Sequence, residues 1–181
     1  MGMFKNIKDA KANFGANYER EGNYIMFVRR VKLDKNRNDE WFVAVEKVAI
    51  ECINPGSEPK PHRVGEQCSH LLCDYGKAKD SFLPNYKALI MGVFDVPEDE
   101  VDEDACDLVT SDDQPMAGIF LEMQNKNVVT KEGKDFTRIK YVRAIPLSEI
   151  AERVDMEVLK KCLTRDEVAY YEAKLAEELN T

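Results

Sequence analysis

The sequence has no long apolar run and no signal for export. None of its apolar stretches approaches the roughly 20 residues with which a helix crosses a bilayer, so we expect no membrane association. The start MGMFKNIKDAKANFG has basic residues with no apolar stretch behind them, unlike a secretory signal. The five cysteines are odd in number and lack paired spacing, which favours reduced thiols in a cytoplasmic compartment.

Enzyme motifs are also missing. The chain contains no Walker-type glycine loop, no GxGxxG, no HExxH and no GxSxG. Only two histidines, His62 and His70, are available to a histidine-based catalytic site. The acidic run 95–113 lacks the central glycine and the alternating ligand spacing of an EF-hand calcium loop. We therefore predict that the protein is not an enzyme and needs no cofactor.

One group of side chains has the types that bind zinc: His62, Cys68, His70 and Cys73. Their spacing matches no zinc finger, and on a strand Cys73 would point away from the face that Cys68 and His70 share. The alternative is that the cysteines are small packing side chains beside a hydrogen-bonded histidine. Because free cysteine is more often a packing residue, we predict no metal site.

The net charge of −8 is unevenly distributed along the chain. Residues 91–115 carry ten acidic side chains and no basic one, whereas 1–90 and 116–147 each have a net charge of +3. Residues 148–181 are acidic again, with a net charge of −4. Such a chain can hold a basic groove inside an acidic molecule. The acidic run is equally well explained as a solvated loop or helix face.

Hydrophobic patterning predicts strands first and helices later. Residues rich in β-branched and aromatic types predict five strands, at 23–33, 41–53, 67–75, 116–129 and 135–145. Helical spacing predicts a short helix ending at Gly15 and two helices between the third and fourth strands, at 83–94, with Pro84 in its first turn, and at 97–108. Further helices follow Pro146, with Ser148 capping the first, and Thr164 with Glu167 forming a capping box on the last.

This order predicts a mainly β fold, α+β by content. We expect a five-stranded OB-like Greek-key barrel with a helical insert between strands 3 and 4 and a C-terminal helical extension. The chain divides into an N-terminal segment 1–21, an OB-like domain 22–146 with a helical, acidic insert 81–113, and a helical extension 147–181. An open α+β sheet would give the same order of elements. The apolar side of the last helix either packs on the strands or dimerises.

Basic and aromatic residues are interleaved on the predicted strands. A protein that binds single strands needs cations for phosphates and flat rings for bases on one concave surface. Alternation places three such rows each on one face: Tyr24, Met26, Val28, Arg30 and Lys32; Trp41, Val43, Val45 and Lys47; Phe136, Arg138, Lys140 and Val142. The candidate binding residues are Tyr24, Arg30, Lys32, Trp41, Lys134, Phe136, Arg138 and Lys140. The alternative is that rings belong to the core and that turn residues such as Lys35 and Lys131 only solubilise loops.

Four segments carry a resemblance to a known family: GNYIMFVRRVKL with WFVAVEKVAI, HRVGEQCSHLLC, FLPNYKALIMGVFDVPEDEV, and PMAGIFLEMQNKNVVTKEGKDFTRIKYV. In their order and spacing they resemble the OB-fold single-stranded DNA-binding proteins encoded by tailed bacteriophages, over about residues 22–146. The resemblance implies sequence-nonspecific binding of single-stranded DNA in phage replication, recombination or repair, in the host cytoplasm and without enzymatic activity. It also implies replication or recombination proteins as further partners. Unlike many single-strand binders, the chain ends in a predicted helix and not in a disordered acidic tail.

Two other functions compete with this expectation. The first is an acidic protein-interaction module, a DNA mimic or a partner of a replisome or host factor, which would not bind DNA directly. The second is a metal-dependent nuclease that uses carboxylates from 95–113, ranked last because those acids lie in a polar run and not at strand ends. The sequence does not define the oligomeric state or a preference for DNA over RNA.

Overall fold

The computed structural model describes residues 19–129, 133 and 135–180. The helix predicted before Gly15 and the candidate Lys134 lie outside these residues. The strands are β1 (Gly22–Lys35), β2 (Trp41–Asn54), β3 (Gln67–Cys73), β4 (Phe120–Val129) and β5 (Asp135–Ile145). The α-helices are α1 (Lys79–Phe94), α2 (Glu103–Thr110), α3 (Leu147–Arg153), α4 (Met156–Cys162) and α5 (Arg165–Leu179).

The five strands form one antiparallel sheet in the order β3-β2-β1-β4-β5. Five strands with helices after the third and the fifth were predicted, and this part of the prediction is confirmed. The sheet is open, since no backbone pairing joins its two edge strands, β3 and β5, within the described residues. The edges nevertheless approach each other, because the Tyr141 hydroxyl on β5 lies 2.5 Å from Nδ1 of His70 on β3. In a flat sheet, four strand spacings of about 4.8 Å would separate them, so the sheet is strongly coiled.

Each face of the sheet packs against its own helices. On the inner face, the concave one, residues such as Met26, Val45 and Met123 pack with Leu89 and Ile90 of α1. The outer face packs against the C-terminal helices. There, Phe27 and Phe120 contact each other with ring centroids 5.0 Å apart, and Tyr171 of α5 packs against Phe120. The C-terminal helices therefore belong to the same hydrophobic structure as the sheet.

Bulges change which residues share a face. In β1 the pairing with β2 slips between Val28 and Arg30, so Val28 and Val31 both face the inner core. Arg30 and Lys32 consequently do not lie on the face of Tyr24, and the predicted row along β1 is wrong. In β5, Tyr141 and Arg143 oppose consecutive residues of β4, which leaves Val142 as the extra residue of a bulge. The row in β5 therefore consists of Phe136, Arg138 and Lys140 only.

Several predicted element boundaries move. Helix α1 begins at Lys79, so Pro84 lies inside it and not in its first turn. Strand β4 begins at Phe120, after a turn in which Gly118 has φ of +87°. The Thr164–Glu167 capping box of α5 is confirmed.

Two predicted helix starts change as well. Ser148 does not cap α3, because the Glu178 carboxylate of α5 accepts hydrogen bonds from the Leu147 and Ser148 amides. Helix α2 begins at Glu103, with Asp102 as its cap, whereas the sequence predicted a start near Pro97.

Candidate nucleic-acid interface

A basic surface lies on the outer side of β4 and β5, beyond the part of the sheet that the helices cover. Lys126 stands directly opposite Arg138, and Lys140 is opposite Gln124 in the next outward-facing pair. All four side chains are exposed, and within the described chain neither Lys126, Arg138 nor Lys140 has an acidic partner. Like charges directly opposite on neighbouring strands are destabilising. A Lys–Arg pair without a neutralising carboxylate therefore favours a binding role over a structural one.

An aromatic ring adjoins these cations. Phe136 precedes Arg138 by two residues on the same face and is 50% exposed. We call Lys126, Phe136, Arg138 and Lys140 the β4–β5 patch. The patch is open because β1 pairs with β4 only as far as Gly22 opposite Asn125. Beyond that point β4 and β5 continue as a two-stranded ribbon.

The candidates on β1 and β2 lie at the opposite end of the sheet. Lys32 is ten residues along β1 from Gly22, which corresponds to on the order of 30 Å. There Lys32 forms an ion pair with Asp34, and the backbone register places Arg30 opposite Glu46 of β2. The structure therefore brings together Phe136, Arg138 and Lys140, but not these with Arg30 and Lys32.

Trp41 lies at the same end of the sheet as Lys32. It is 45% exposed, and the Lys35 ammonium lies 4.5 Å from its ring centroid. Lys35 in turn pairs with Asp39 at 2.7 Å. One face of the indole is therefore already used by a cation.

Tyr24 is not at a surface. Its ring is fully buried in the inner core, and its hydroxyl donates a hydrogen bond to the Glu21 carbonyl at 2.5 Å. Burial raises the pKa of Tyr24 to about 12. A base could stack on this ring only if the core opened, so we leave Tyr24 out of the candidate interface.

A cleft of about 820 Å³ lies where the two sheet edges approach each other. Its walls come from β3, α1 and the β4–β5 ribbon, and Phe136 of the patch stands among its lining residues. His70 and Glu19 also line this cleft. Sequence analysis missed it, because it is formed by residues far apart in the chain that only the coiling of the sheet brings together.

Buried polar groups adjoin this cleft. The Lys47 ammonium lies 2.5 Å from Glu19 Oε1, and Asn125 donates a hydrogen bond to Glu19 Oε2 at 2.9 Å. All three side chains are buried. Burial alone would raise the pKa of the Glu19 carboxyl, but the Lys47 ammonium outweighs it and holds that pKa below its usual range. Lys47 is thus a structural cation at the core and is not available to a phosphate.

His70 is held in one protonation state. Burial lowers the pKa of His70 to about 3, and the nearby Lys47 ammonium adds to this shift. Burial also raises the pKa of Tyr141 well above its usual value, so a protonated hydroxyl and a neutral ring share the hydrogen bond at Nδ1 of His70. A neutral imidazole has one N–H donor and one nitrogen acceptor. His70 therefore offers a polar ring, and not a charge, to the cleft.

Two of the four residues considered as zinc ligands, His62 and Cys68, lie together in the structure. Glu19, His62 and Cys68 place potential ligand atoms within 4.8 Å of one another. His62 accepts a hydrogen bond at Nε2 from the Arg20 amide, so its proton is on Nδ1. Burial raises the pKa of Cys68 to about 12, which keeps it a thiol. Because Lys47 already neutralises Glu19, the group is balanced in charge without a metal ion. All five cysteines are free.

Within the described ranges, no helix combines the length and the apolar composition required to span a bilayer. The sequence matches no protein-family model and shows no significant similarity to a curated protein. The β4–β5 patch and the adjoining cleft are therefore the features that point to a function.

Proposed function

We propose that this protein binds single-stranded DNA with little sequence preference through the β4–β5 patch. The observation that carries the proposal is the set of three exposed cations, Lys126, Arg138 and Lys140, beside a half-exposed Phe136. Arginine and lysine bind phosphates by charge, and an exposed ring accepts the face of any base. The resemblance to phage proteins extends the proposal to the protection of single strands during replication, recombination or repair.

The architecture supports an OB-like origin for this surface. An OB-fold is a partly open five-stranded barrel that binds oligonucleotides by its strands and adjacent loops. The coiling that brings His70 and Tyr141 into contact is what such a barrel requires, and α1 packs against both β3 and β5. The patch adjoins the turn between β4 and β5, one of the loop positions that OB-folds use.

In the proposed mechanism the DNA backbone follows the ribbon. Each phosphate that a cation neutralises releases counterions, so the affinity falls as salt rises. Phe136 stacks on a base, which adds affinity without selecting a sequence. The acidic residues of α2 and of the segment before it disfavour loose binding to duplex DNA, because a second phosphate backbone would be repelled.

The test is the fluorescence anisotropy of a labelled thirty-nucleotide oligo-dT, titrated at low and high salt with duplex of equal length as competitor. We expect salt-sensitive binding that duplex does not displace. The variant Arg138→Glu/Lys140→Glu should weaken it strongly. The control Lys160→Glu/Lys174→Glu makes the same change in charge on α4 and α5, where each lysine pairs with a neighbouring glutamate, and should bind almost as the wild type does.

Two results would overturn the proposal. One is no binding at low salt, which would direct attention to a protein partner for the acidic surface. The other is an equal loss of affinity in both charge-reversal variants, which would show that net charge matters and the patch does not.

A further inference from the structure

We infer that the cleft between β3 and β5 binds one base of the single strand whose phosphates follow the β4–β5 patch. This inference rests on the proposed function and adds to it a defined base-binding site. The two surfaces are continuous, because Phe136 belongs to the patch and also lines the cleft. A strand lying on the patch therefore has the mouth of the cleft beside it.

The charges of the two surfaces differ in the way that a nucleotide requires. Among the described residues that line the cleft there is no lysine or arginine, and Glu19, which pairs with Lys47, is the one charged group. A phosphate would find no cation among these residues, whereas an uncharged base needs none. The cations that suit phosphate, Lys126, Arg138 and Lys140, are not among the cleft-lining residues and lie on the outer side of β4 and β5.

The cleft has partners for the edge of a base. Asn85 of α1 and Asn127 of β4 each offer an amide, which can both donate and accept. The Thr137 hydroxyl already donates to the Asn127 side-chain oxygen at 2.9 Å, which leaves the Asn127 NH₂ group as a donor. His70 adds a neutral imidazole ring, whose Nε2 can hydrogen-bond to the edge of a base. These groups are neutral and of mixed polarity, as are the edges of nucleobases.

The cleft also has flat apolar surface and sufficient size. Phe82 lines it from α1, and its ring stacks on Tyr86 with centroids 6.0 Å apart. Phe136 stands on the opposite wall. A volume of about 820 Å³ lies in the usual range of about 300–1,000 Å³ for small-ligand sites. One base with its sugar can enter such a space while its phosphates stay on the ribbon.

The experiment fills the cleft without touching the patch. Asn85 and Ser81 are exposed residues of α1 that line the cleft, and Leu83 is an exposed residue of α1 that does not. We would compare Asn85→Trp and Ser81→Trp with the control Leu83→Trp. Each variant is titrated with a thirty-nucleotide oligo-dT and with an abasic strand of equal length, and circular dichroism checks that it is folded.

Wild-type protein should bind oligo-dT more tightly than the abasic strand. Filling the cleft should reduce this ratio by at least about fivefold, the lower limit for stacking on one base. The affinity for the abasic strand and its dependence on salt should not change. Leu83→Trp should keep the wild-type ratio.

The outcomes separate the two proposals. If wild-type protein binds neither strand, the proposed function fails and this inference fails with it. If it binds oligo-dT but Asn85→Trp and Ser81→Trp keep the wild-type ratio, the base site is wrong and the function stands. Equal binding of oligo-dT and the abasic strand by the wild type would also overturn the base site alone.

Discussion

The Tyr141 hydroxyl on β5 and Nδ1 of His70 on β3 share a hydrogen bond of 2.5 Å between the two edges of the sheet. Tyr141 is buried, and its backbone also packs closely on α1, where a Cβ added to Gly92 would lie 2.7 Å from the Tyr141 carbonyl oxygen. Because His70 lines the cleft, this contact links the stability of the fold to the shape of the candidate site.

Removing the Tyr141 hydroxyl should destabilise the protein. Tyr141→Phe keeps the ring but leaves Nδ1 of the half-buried His70 without its hydrogen-bond partner, which costs about 1–3 kcal/mol when a polar group loses its partner. Urea unfolding measures this cost as a lower midpoint with an unchanged slope. Tyr170→Phe, on the exposed side of α5, is the control and should change the free energy of unfolding by less than about 0.5 kcal/mol. Equal midpoints for the two variants would show that the edge contact is not formed in solution.

The neutral state of His70 predicts a loss of stability in acid. The pKa of His70 is about 3 in the folded protein and near 6.5 in an unfolded chain. Between these values the unfolded chain binds a proton that the folded protein does not. The free energy of unfolding should therefore fall as the pH drops from about 6.5, by up to about 1.4 kcal/mol per pH unit.

NMR of the histidine rings tests this directly. The His70 signals should not titrate between pH 7 and about 4.5. The variant His70→Asn should be less stable at pH 7, but its stability should fall less steeply between pH 6 and 4.5. Burial lowers the pKa of His62 as well, so this second ring contributes to the remaining slope. A His70 midpoint near 6 would contradict the prediction.

The buried ion pair of Lys47 and Glu19 predicts strong coupling between the two residues. Lys47→Met leaves the Glu19 carboxylate buried without its counter-charge, which typically costs about 3–5 kcal/mol. The double variant Lys47→Met/Glu19→Gln removes both charges and should recover a large part of that loss. A double-mutant cycle of urea unfolding measures the coupling. Additive losses in the cycle would mean that the two charges do not interact in the folded protein.

Local patterns predicted the elements well, but they did not predict every face of the strands. Two features depend on residues close in sequence: the end of β5 just before Pro146 and the capping box at Thr164. Both are as predicted. The predicted row of residues on one face of β1 was wrong, because a bulge shifts the alternation of side chains. No residue near Arg29 indicates this bulge in the sequence. Glu178, thirty residues away, caps α3 in place of Ser148. This cap depends on the packing of α5 on α3, which the local sequence does not show.

The sequence likewise predicted the part of the candidate site that depends on local alternation. Arg138 and Lys140 share a face with Phe136 by simple alternation, so the sequence could find them. Their neighbour Lys126 was missed, because its position opposite Arg138 depends on the register of β4 with β5. Tyr24 is aromatic and could in principle stack on a base, but the sequence cannot show that its ring lies in a closed core.

We expect the two ends of the sheet to contribute differently to base stacking. Phe136 stands beside three cations for which the described residues provide no acidic partner, whereas one face of the Trp41 ring is covered by Lys35. Phe136→Ala should therefore weaken binding of oligo-dT by about 5- to 150-fold, the equivalent of stacking on one base. Trp41→Ala should weaken it by less than about threefold, because the Lys35 ammonium already occupies one face of the ring.

Phe94→Ala, an exposed ring at the end of α1, is the control and should not change the affinity. Anisotropy at two salt concentrations separates the effects, since the loss of a ring leaves the salt slope unchanged. A larger loss with Trp41→Ala than with Phe136→Ala would move the interface to the β1–β2 end of the sheet.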